Sequence, residues 1–132
     1  MTRTPTVLYL DSETTQLDLY ERTAALEPEW FEPSVTADSA EARARVESDG
    51  ADCLVTAQRL GSTTGLSVAR SLREAGHDLP IVLHSWEVPD AVLTAEAPPI
   101  EAVVTKRTLP RGYRYLHRTV EQVIDEPQAP TA

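Results

Sequence analysis

Polar residues that could carry out chemistry directly follow several short apolar runs of the chain. The candidate positions lie in four segments: Asp11-Ser12-Glu13, Thr56-Ala57-Gln58, Ser85-Trp86 and Thr105-Lys106-Arg107. A carboxylate such as that of Asp11 suits a hard divalent cation, whereas the Lys106 ammonium and the Ser85 hydroxyl suit the oxygens of an anion. If the fold gathers these segments, they form one polar site.

Other kinds of reactive or ligand-binding site have no signature in the sequence. It contains no glycine fingerprint for dinucleotides, no phosphate-loop lysine motif and no serine between glycines at nucleophile-elbow spacing. The histidines His77, His84 and His117 lack the spacing of a metal site, and the lone Cys53 excludes an internal disulfide. We therefore expect no metal and no cofactor. His84 is predicted to point away from the polar segments, beneath a helix, and Cys53 to be buried.

Length and charge restrict the class of protein. The 132 residues, 41% of them hydrophobic, suffice for one domain with one core. A net charge of -9 argues against nonspecific nucleic-acid binding, and no apolar run approaches the roughly 20 residues of a membrane span. We therefore expect a cytoplasmic protein. Only Lys106 among the 12 basic residues is a lysine, and this acidic, lysine-poor composition favours a high-salt (halophilic) habitat.

Strands and helices alternate along the chain. Short apolar runs predict strands at 7–10, around 35, and at 53–55, 81–83 and 102–104. Asp38 or Ser39 is expected to cap the second helix, and Pro98-Pro99 limits residues 89–99 to at most a short helix. The side chains predicted to face the core from helices are Leu17, Tyr20 and Ala24; Ala40, Ala44 and, as a further candidate, Val46; Val68, Ala69, Leu72 and Ala75; and Tyr113, Leu116, Val120, Val123 and Ile124.

This alternation predicts an α/β fold with a doubly wound, five-stranded parallel sheet between two layers of helices. The expected domain covers residues 6–125, with an N-terminal extension at 1–5 and a flexible C-terminal tail at 126–132. In such sheets the ligand crevice lies at the carboxyl ends of the strands, where the polar segments fall.

Five pieces of the chain together resemble the receiver domain of two-component response regulators. They are VLYLD (7–11), DCLV (52–55), GL opening the third helix (65–66), LPIVLHS (79–85) and VVTK (103–106). The resemblance implies a flavodoxin-like, receiver-like sheet with strand order 2-1-3-4-5. In this family a strand-3 aspartate accepts a phosphoryl group, and two acidic residues after strand 1 help to hold Mg²⁺. A hydroxyl after strand 4 and a lysine after strand 5 contact the phosphoryl oxygens.

The chain matches this site only in part. Asp11, Ser85 and Lys106 match the first acidic residue, the hydroxyl and the lysine, but Ala57 stands at the acceptor position and Ser12 at the second acidic position. The chain also departs from the family pattern at Gly61, at Val103 in the aromatic switch position, and at Arg107 after the lysine.

These departures remove the phosphorylation chemistry. The Ala57 methyl group cannot form an acyl phosphate. One carboxylate against one ammonium leaves little negative charge for Mg²⁺ to neutralise, unless Glu13 turns inward. We therefore predict that Lys106 pairs directly with Asp11. Ser12 and Ser85 are alternative candidates for phosphorylation, but neither has an evident neighbouring base that would activate its hydroxyl.

An arginine-rich stretch follows the last strand. From Ala102 to Val120 there is no acidic residue, and Arg111, Arg114 and Arg118 recur at helical spacing. We call these three residues the arginine stripe. In receivers, the surface of strand 5 and the helix after it is a common docking or dimerisation face. The stripe, with Arg107, is therefore a candidate contact for an acidic protein partner or a second subunit.

The resulting hypothesis is a degenerate receiver that acts as a phosphorylation-independent interaction module in signalling and is not an enzyme. Its vestigial phosphorylation pocket comprises Asp11, Ser12, Glu13, Ala57, Ser85 and Lys106. Trp86 is expected either to contact a partner or to cover the empty pocket. Two alternatives stay open: a small-ligand or anion binder or enzyme that uses the crevice, and a receiver phosphorylated at a non-standard residue.

Overall fold

The computed structural model describes residues 4–25, 31–48, 50–90, 92, 99–106 and 112–125. Its strands are β1 (Thr6–Leu10), β2 (Glu32–Thr36), β3 (Cys53–Thr56), β4 (Ile81–Ser85) and β5 (Ala102–Thr105). They form one sheet in the order β2-β1-β3-β4-β5, and every neighbouring pair is parallel. The predicted fold class and strand order are confirmed. Because all strands run the same way, their carboxyl ends meet along one edge.

The described helices are α1 (Thr14–Ala24), α2 (Ser39–Glu47), α3 (Gly65–Glu74) and α4 (Gly112–Asp125). As predicted, Asp38 caps α2, because its carboxylate accepts hydrogen bonds from the backbone N–H groups of Ala40 and Glu41. The prediction of at most a short helix at 89–99 falls mainly on residues outside the described ranges, as does the tail at 126–132. No helix in the described ranges is long and apolar enough to cross a membrane.

The sheet has an apolar core on each face. Alternate strand residues such as Val7 and Tyr9 pack with Leu17 and Tyr20 of α1 and Leu116 of α4. On the opposite face, the core residues from the strands and from α2 and α3 are Leu8, Leu10, Leu54, Ile81, Leu83, Ala42, Val46, Val68, Ala69 and Leu72. The period-2 alternation of strands therefore sends neighbouring residues into different cores. The result is the predicted three-layer arrangement.

Three of the predicted core positions are wrong. Ala40 and Ala44 are exposed, and α2 instead buries Ala42 and Val46, which lie one turn apart. The alanines are spread around this short helix, so their small side chains do not mark the buried face. Ala75 is also exposed, because α3 ends at Glu74 and Ala75 is its C-cap.

Candidate functional site

An ion pair occupies the centre of the crevice at the carboxyl edge of the sheet. The Lys106 Nζ lies 2.8 Å from Asp11 Oδ2, and the two side chains are 4% and 2% exposed. Asp11 directly follows β1 and Lys106 directly follows β5, so the lysine reaches across the ends of β3 and β4, which lie between them. The predicted pairing is therefore present, and it is buried.

The Asp11 carboxylate is held by further donors. Its Oδ1 accepts the Glu13 backbone N–H at 3.0 Å, and its Oδ2 also lies 3.5 Å from the Tyr20 hydroxyl on α1. The Glu13 side chain is exposed and lines the crevice, and Glu13 is the N-cap of α1. Both carboxylate oxygens thus already accept hydrogen bonds from the protein, and Lys106 supplies the compensating charge.

Tyr20 links the ion pair to a buried histidine. The Tyr20 hydroxyl is 2.6 Å from His84 Nδ1, and His84 is fully buried on the core face that packs against α1 and α4. Burial, then the charges of Lys106 and His117, lower the pKa of His84 from 6.5 to about 3. The prediction that His84 points away from the crevice, beneath a helix, is confirmed. His84 is neutral near pH 7.

The two serines predicted for the pocket use their hydroxyls on nearby backbone. Ser85 Oγ donates to the Glu87 carbonyl at 2.8 Å and accepts the Glu87 N–H at 3.3 Å, which forms a tight serine turn after β4. Ser12 Oγ donates to the Arg59 carbonyl at 3.2 Å and so ties the loop after β1 to the loop after β3. Both hydroxyls therefore stabilise loops.

Ala57 directly follows β3, at the position that the resemblance to receivers predicts for the acceptor aspartate. It is 3% exposed, and its N–H donates to the Leu10 carbonyl at 2.9 Å. Gly65 at the start of α3 packs directly on it, since a Cβ at position 65 would lie 2.2 Å from the Ala57 carbonyl oxygen. The close packing explains why the helix begins with glycine.

The loop between Ala57 and α3 is held together by backbone contacts within the loop. The Leu60 N–H donates to the Thr63 carbonyl at 3.1 Å, and Arg59 and Thr64 form an isolated antiparallel bridge. Gly61 lies in this turn with φ of 80°, which proline cannot adopt because its ring fixes φ near -65°. A proline at position 61 is therefore incompatible with this turn.

The crevice does not fit the Mg²⁺ ion that receivers hold. Its buried carboxylate is committed to Lys106, and the neighbouring positions offer the Ala57 methyl group and a Ser12 hydroxyl that donates to backbone. Hard dications bind several oxygen ligands with net negative charge. Glu13 and Glu87 also line this crevice, but with Asp11 they form no group that could hold a metal ion. Elsewhere in the described ranges, no group of three or more His, Cys, Asp or Glu side chains could hold a metal ion.

An open cleft of about 480 Å³ lies above the ion pair. Its inner wall includes Asp11, Ala57 and Lys106, and its rim includes Trp86 and Arg59. Trp86 is 47% exposed, so it lines the cleft without filling it. This position leaves the Trp86 ring accessible to a partner, and the ring does not cover the pocket.

The described residues of the arginine stripe lie on the surface, apart from the crevice. Arg114 and Arg118 are exposed on α4, whereas Lys106 is buried in its ion pair and contributes nothing to this surface. Arg107 and Arg111 lie outside the described residues. Sequence reasoning missed Tyr115, which is 59% exposed between the two arginines. The helical period could have indicated this exposure, because Tyr115 lies outside the apolar helix face formed by Leu116, Val120 and Val123.

Cys53 is buried in β3, as predicted. Burial, then the nearby carboxylates of Glu101 and Asp52, raise the pKa of its thiol far above the usual value. Cys53 therefore has no chemical role at the crevice.

Comparisons with known proteins bear on the fold. No family model matches the sequence, and no curated protein matches it. Solved structures do match. The signal receiver domain of a putative LuxO repressor from Vibrio parahaemolyticus superposes with a TM-score of 0.79 at 15% identity, over 92% of this chain and 91% of that one.

Two further structures agree with this result. The receiver domain of Francisella response regulator 1452 gives a TM-score of 0.78 at 16% identity, over 91% of this chain and 96% of that one. The response regulator TrrA of Thermotoga maritima, solved in complex with Mg²⁺-BeF, gives 0.75 at 18% identity, over 90% of this chain and 98% of that one. This chain therefore has the fold of a response-regulator receiver domain.

Proposed function

We propose that this protein is a degenerate receiver: a non-enzymatic interaction module in signal transduction that works without phosphorylation. The observation that carries the proposal is the buried Lys106–Asp11 ion pair beside Ala57. In a receiver, phosphoryl transfer requires a carboxylate nucleophile, and here a methyl group stands in that place. The lysine that would contact the phosphoryl group already neutralises the remaining carboxylate.

The hydrogen bonds around the ion pair support a single fixed state. A switch needs an element with two arrangements of similar free energy, which a ligand can bias. Here the Ser85 hydroxyl bonds to the backbone of Glu87, and Tyr20 bridges Asp11 and His84. Moving either side chain toward a phosphoryl group would break buried hydrogen bonds. The module is therefore constitutive, and its signal depends on association with a partner.

The exposed face of α4 is where we place that association. Arg114 and Arg118 present two guanidinium groups to solvent on one helix, beside the exposed Tyr115. Charges of this kind select partners and speed encounter more than they add affinity.

Incubation with acetyl phosphate and Mg²⁺, followed by intact-mass measurement under conditions that preserve acyl phosphates, tests the proposal. We expect no mass increase. Addition of one phosphoryl group would contradict it. Peptide mapping would then show whether Ser12, Ser85 or another residue is the acceptor, as in a receiver with a non-standard site.

A second candidate function is favoured by the cleft itself. Its volume of about 480 Å³ lies within the range of small-molecule sites, and Trp86 leaves it open. Arg59 is exposed at its rim and could meet a small anion. A titration with inorganic phosphate, followed by NMR, separates the two: saturable shifts at Ala57, Arg59 and Trp86 favour the binder, and unchanged spectra favour the interaction module.

A further inference from the structure

The outer face of α4 combines an exposed aromatic ring with two cations. Among the described residues, three large hydrophobic side chains are exposed, and Tyr115 at 59% is more exposed than Trp86 or Leu19. Arg114 precedes Tyr115, and Arg118 lies one turn further on. Tyrosine and arginine are the residue types enriched in the energetic centres of protein interfaces.

The two arginines have no acidic partner within the described part of the chain. Arg22, Arg45 and Arg73 each pair with a carboxylate, whereas among the described residues no ion pair or hydrogen bond involves the side chain of Arg114 or Arg118. No acidic residue occurs from Ala102 to Val120 that could neutralise them locally. Their charge is therefore available to another molecule.

A second copy of the chain is a poor occupant for this face. A two-fold contact brings the same patch of both subunits together, so an interface centred on Tyr115 sets arginines against arginines. Like charges across an interface are destabilising. Glu121 is the exposed acidic residue one turn beyond Arg118, and it lies away from such a centre.

We propose that this α4 face binds an acidic helical segment of a different protein. Two carboxylates one turn apart on that helix, about 6 Å along its axis, match the spacing of Arg114 and Arg118, and an apolar side chain beside them covers Tyr115. The inference rests on the proposed interaction role and names the chemistry of the partner.

The test is an NMR titration of the full chain with a synthetic helical peptide that carries glutamates four residues apart beside a leucine. A twin peptide with glutamine at each glutamate measures the charge contribution. We expect saturable shifts at Arg114, Tyr115 and Arg118, and at least about tenfold weaker binding of the glutamine peptide (about 1.4 kcal/mol). Equal binding of the two peptides would overturn the proposal.

Matched variants locate the binding surface. R114E/R118E should weaken binding of the acidic peptide at least about tenfold. R43E/R70E makes the same change in net charge on α2 and α3, and it should leave binding within about twofold. Equal losses of binding in the two double variants would show that only the net charge of the protein matters, and this would overturn the proposal. Y115A should also weaken binding, because it removes the apolar contact, and circular dichroism should show native helix in every variant.

Sedimentation equilibrium of the wild-type chain provides the remaining outcome. We expect a monomer. The contrary result is a dimer that is disrupted by R118E or E121R alone and restored when the two substitutions are combined. That result would assign the face to a second copy and overturn the proposal. The peptide titration measures NMR shifts of α4 residues, whereas the acetyl phosphate experiment measures the mass of the protein. Failure of this inference can therefore be told apart from failure of the proposed function.

Discussion

The crevice and the outer face of α4 contain opposite arrangements of charge. In the crevice, Lys106 and Asp11 are buried, paired and surrounded by further hydrogen bonds. On α4, Arg114 and Arg118 are exposed and have no acidic partner in the described ranges. Under the proposed function, the contrast means that a receiver fold can lose the chemistry of its phosphorylation site while its surface retains groups able to bind a partner.

Removing one member of the buried ion pair should have the largest effect. K106A leaves the Asp11 carboxylate buried without its counter-charge, so we expect the free energy of unfolding to fall by about 3–5 kcal/mol. Urea denaturation followed by circular dichroism measures this. The double variant D11L/K106M removes both charges and should recover most of the loss. A loss below about 1 kcal/mol in K106A would show that the pair is not structurally important.

Acid should destabilise the folded protein through His84. Its pKa in the folded state lies below the unfolded value of 6.5, so the unfolded chain binds the proton more tightly, and stability falls as the pH drops below 6.5. Between pH 7.5 and pH 5 this residue should contribute a loss of about 2 kcal/mol.

Urea denaturation at several pH values checks this expectation, with H84Q as the variant that lacks the titrating group. The slope of stability against pH should be smaller in H84Q between pH 6.5 and pH 5. Identical slopes in the two proteins would show that His84 is not held neutral.

A carboxylate restored at position 57 should make the crevice sensitive to metal. In A57D a second carboxylate joins Asp11, so the site gains the negative charge that a dication neutralises. Mg²⁺ at about ten times its dissociation constant should then stabilise the variant by about 1.4 kcal/mol, whereas the wild type should not respond. Thermal melts with and without Mg²⁺ measure this, and NaCl at equal ionic strength controls for screening. A response of the wild type equal to that of A57D would contradict our interpretation of Ala57.

Charge reversal on α4 should have the smallest effect on folding. Because Arg114 and Arg118 are exposed and unpaired within the described ranges, R114E/R118E should change the free energy of unfolding by no more than about 0.5 kcal/mol per site. Urea denaturation of R114E/R118E and of K106A under the same conditions compares the two losses of stability directly. A loss approaching that of K106A would show that the arginines support the fold.

Strands β1, β3, β4 and β5 could be predicted from the sequence because each contains a short, continuous apolar run, whereas β2 offers little more than Val35. The run 53–55 and the run 81–83 are buried on both faces of the sheet, so their composition alone distinguishes them from helices and loops. The Asp11–Lys106 pair was predicted because Ala57 offers no carboxylate that could compete with Asp11 for the lysine. In contrast, the buried face of α2 could not be predicted, because its alanines lie all around the helix.

The remaining contacts of the site depend on distant parts of the chain. Tyr20 and His84 are 64 residues apart, and their hydrogen bond requires the placement of α1 over β4. The Ser85 hydroxyl had two plausible partners, the crevice and its own loop, and the loop geometry decided between them. Such choices depend on differences of about 1 kcal/mol between competing hydrogen bonds, which residue types do not reveal.

The central claim is that Lys106 neutralises the crevice carboxylate and that the crevice accepts no phosphoryl group. The most direct test is an NMR titration of the wild-type chain with Mg²⁺ and beryllofluoride, which imitates an acyl phosphate where a receiver-type carboxylate and metal are present. The double variant S12D/A57D is the positive control. We predict that the amide signals of Ala57, Ser85 and Lys106 do not shift in the wild type. Saturable shifts of these signals would contradict the account and show that the crevice retains receiver chemistry.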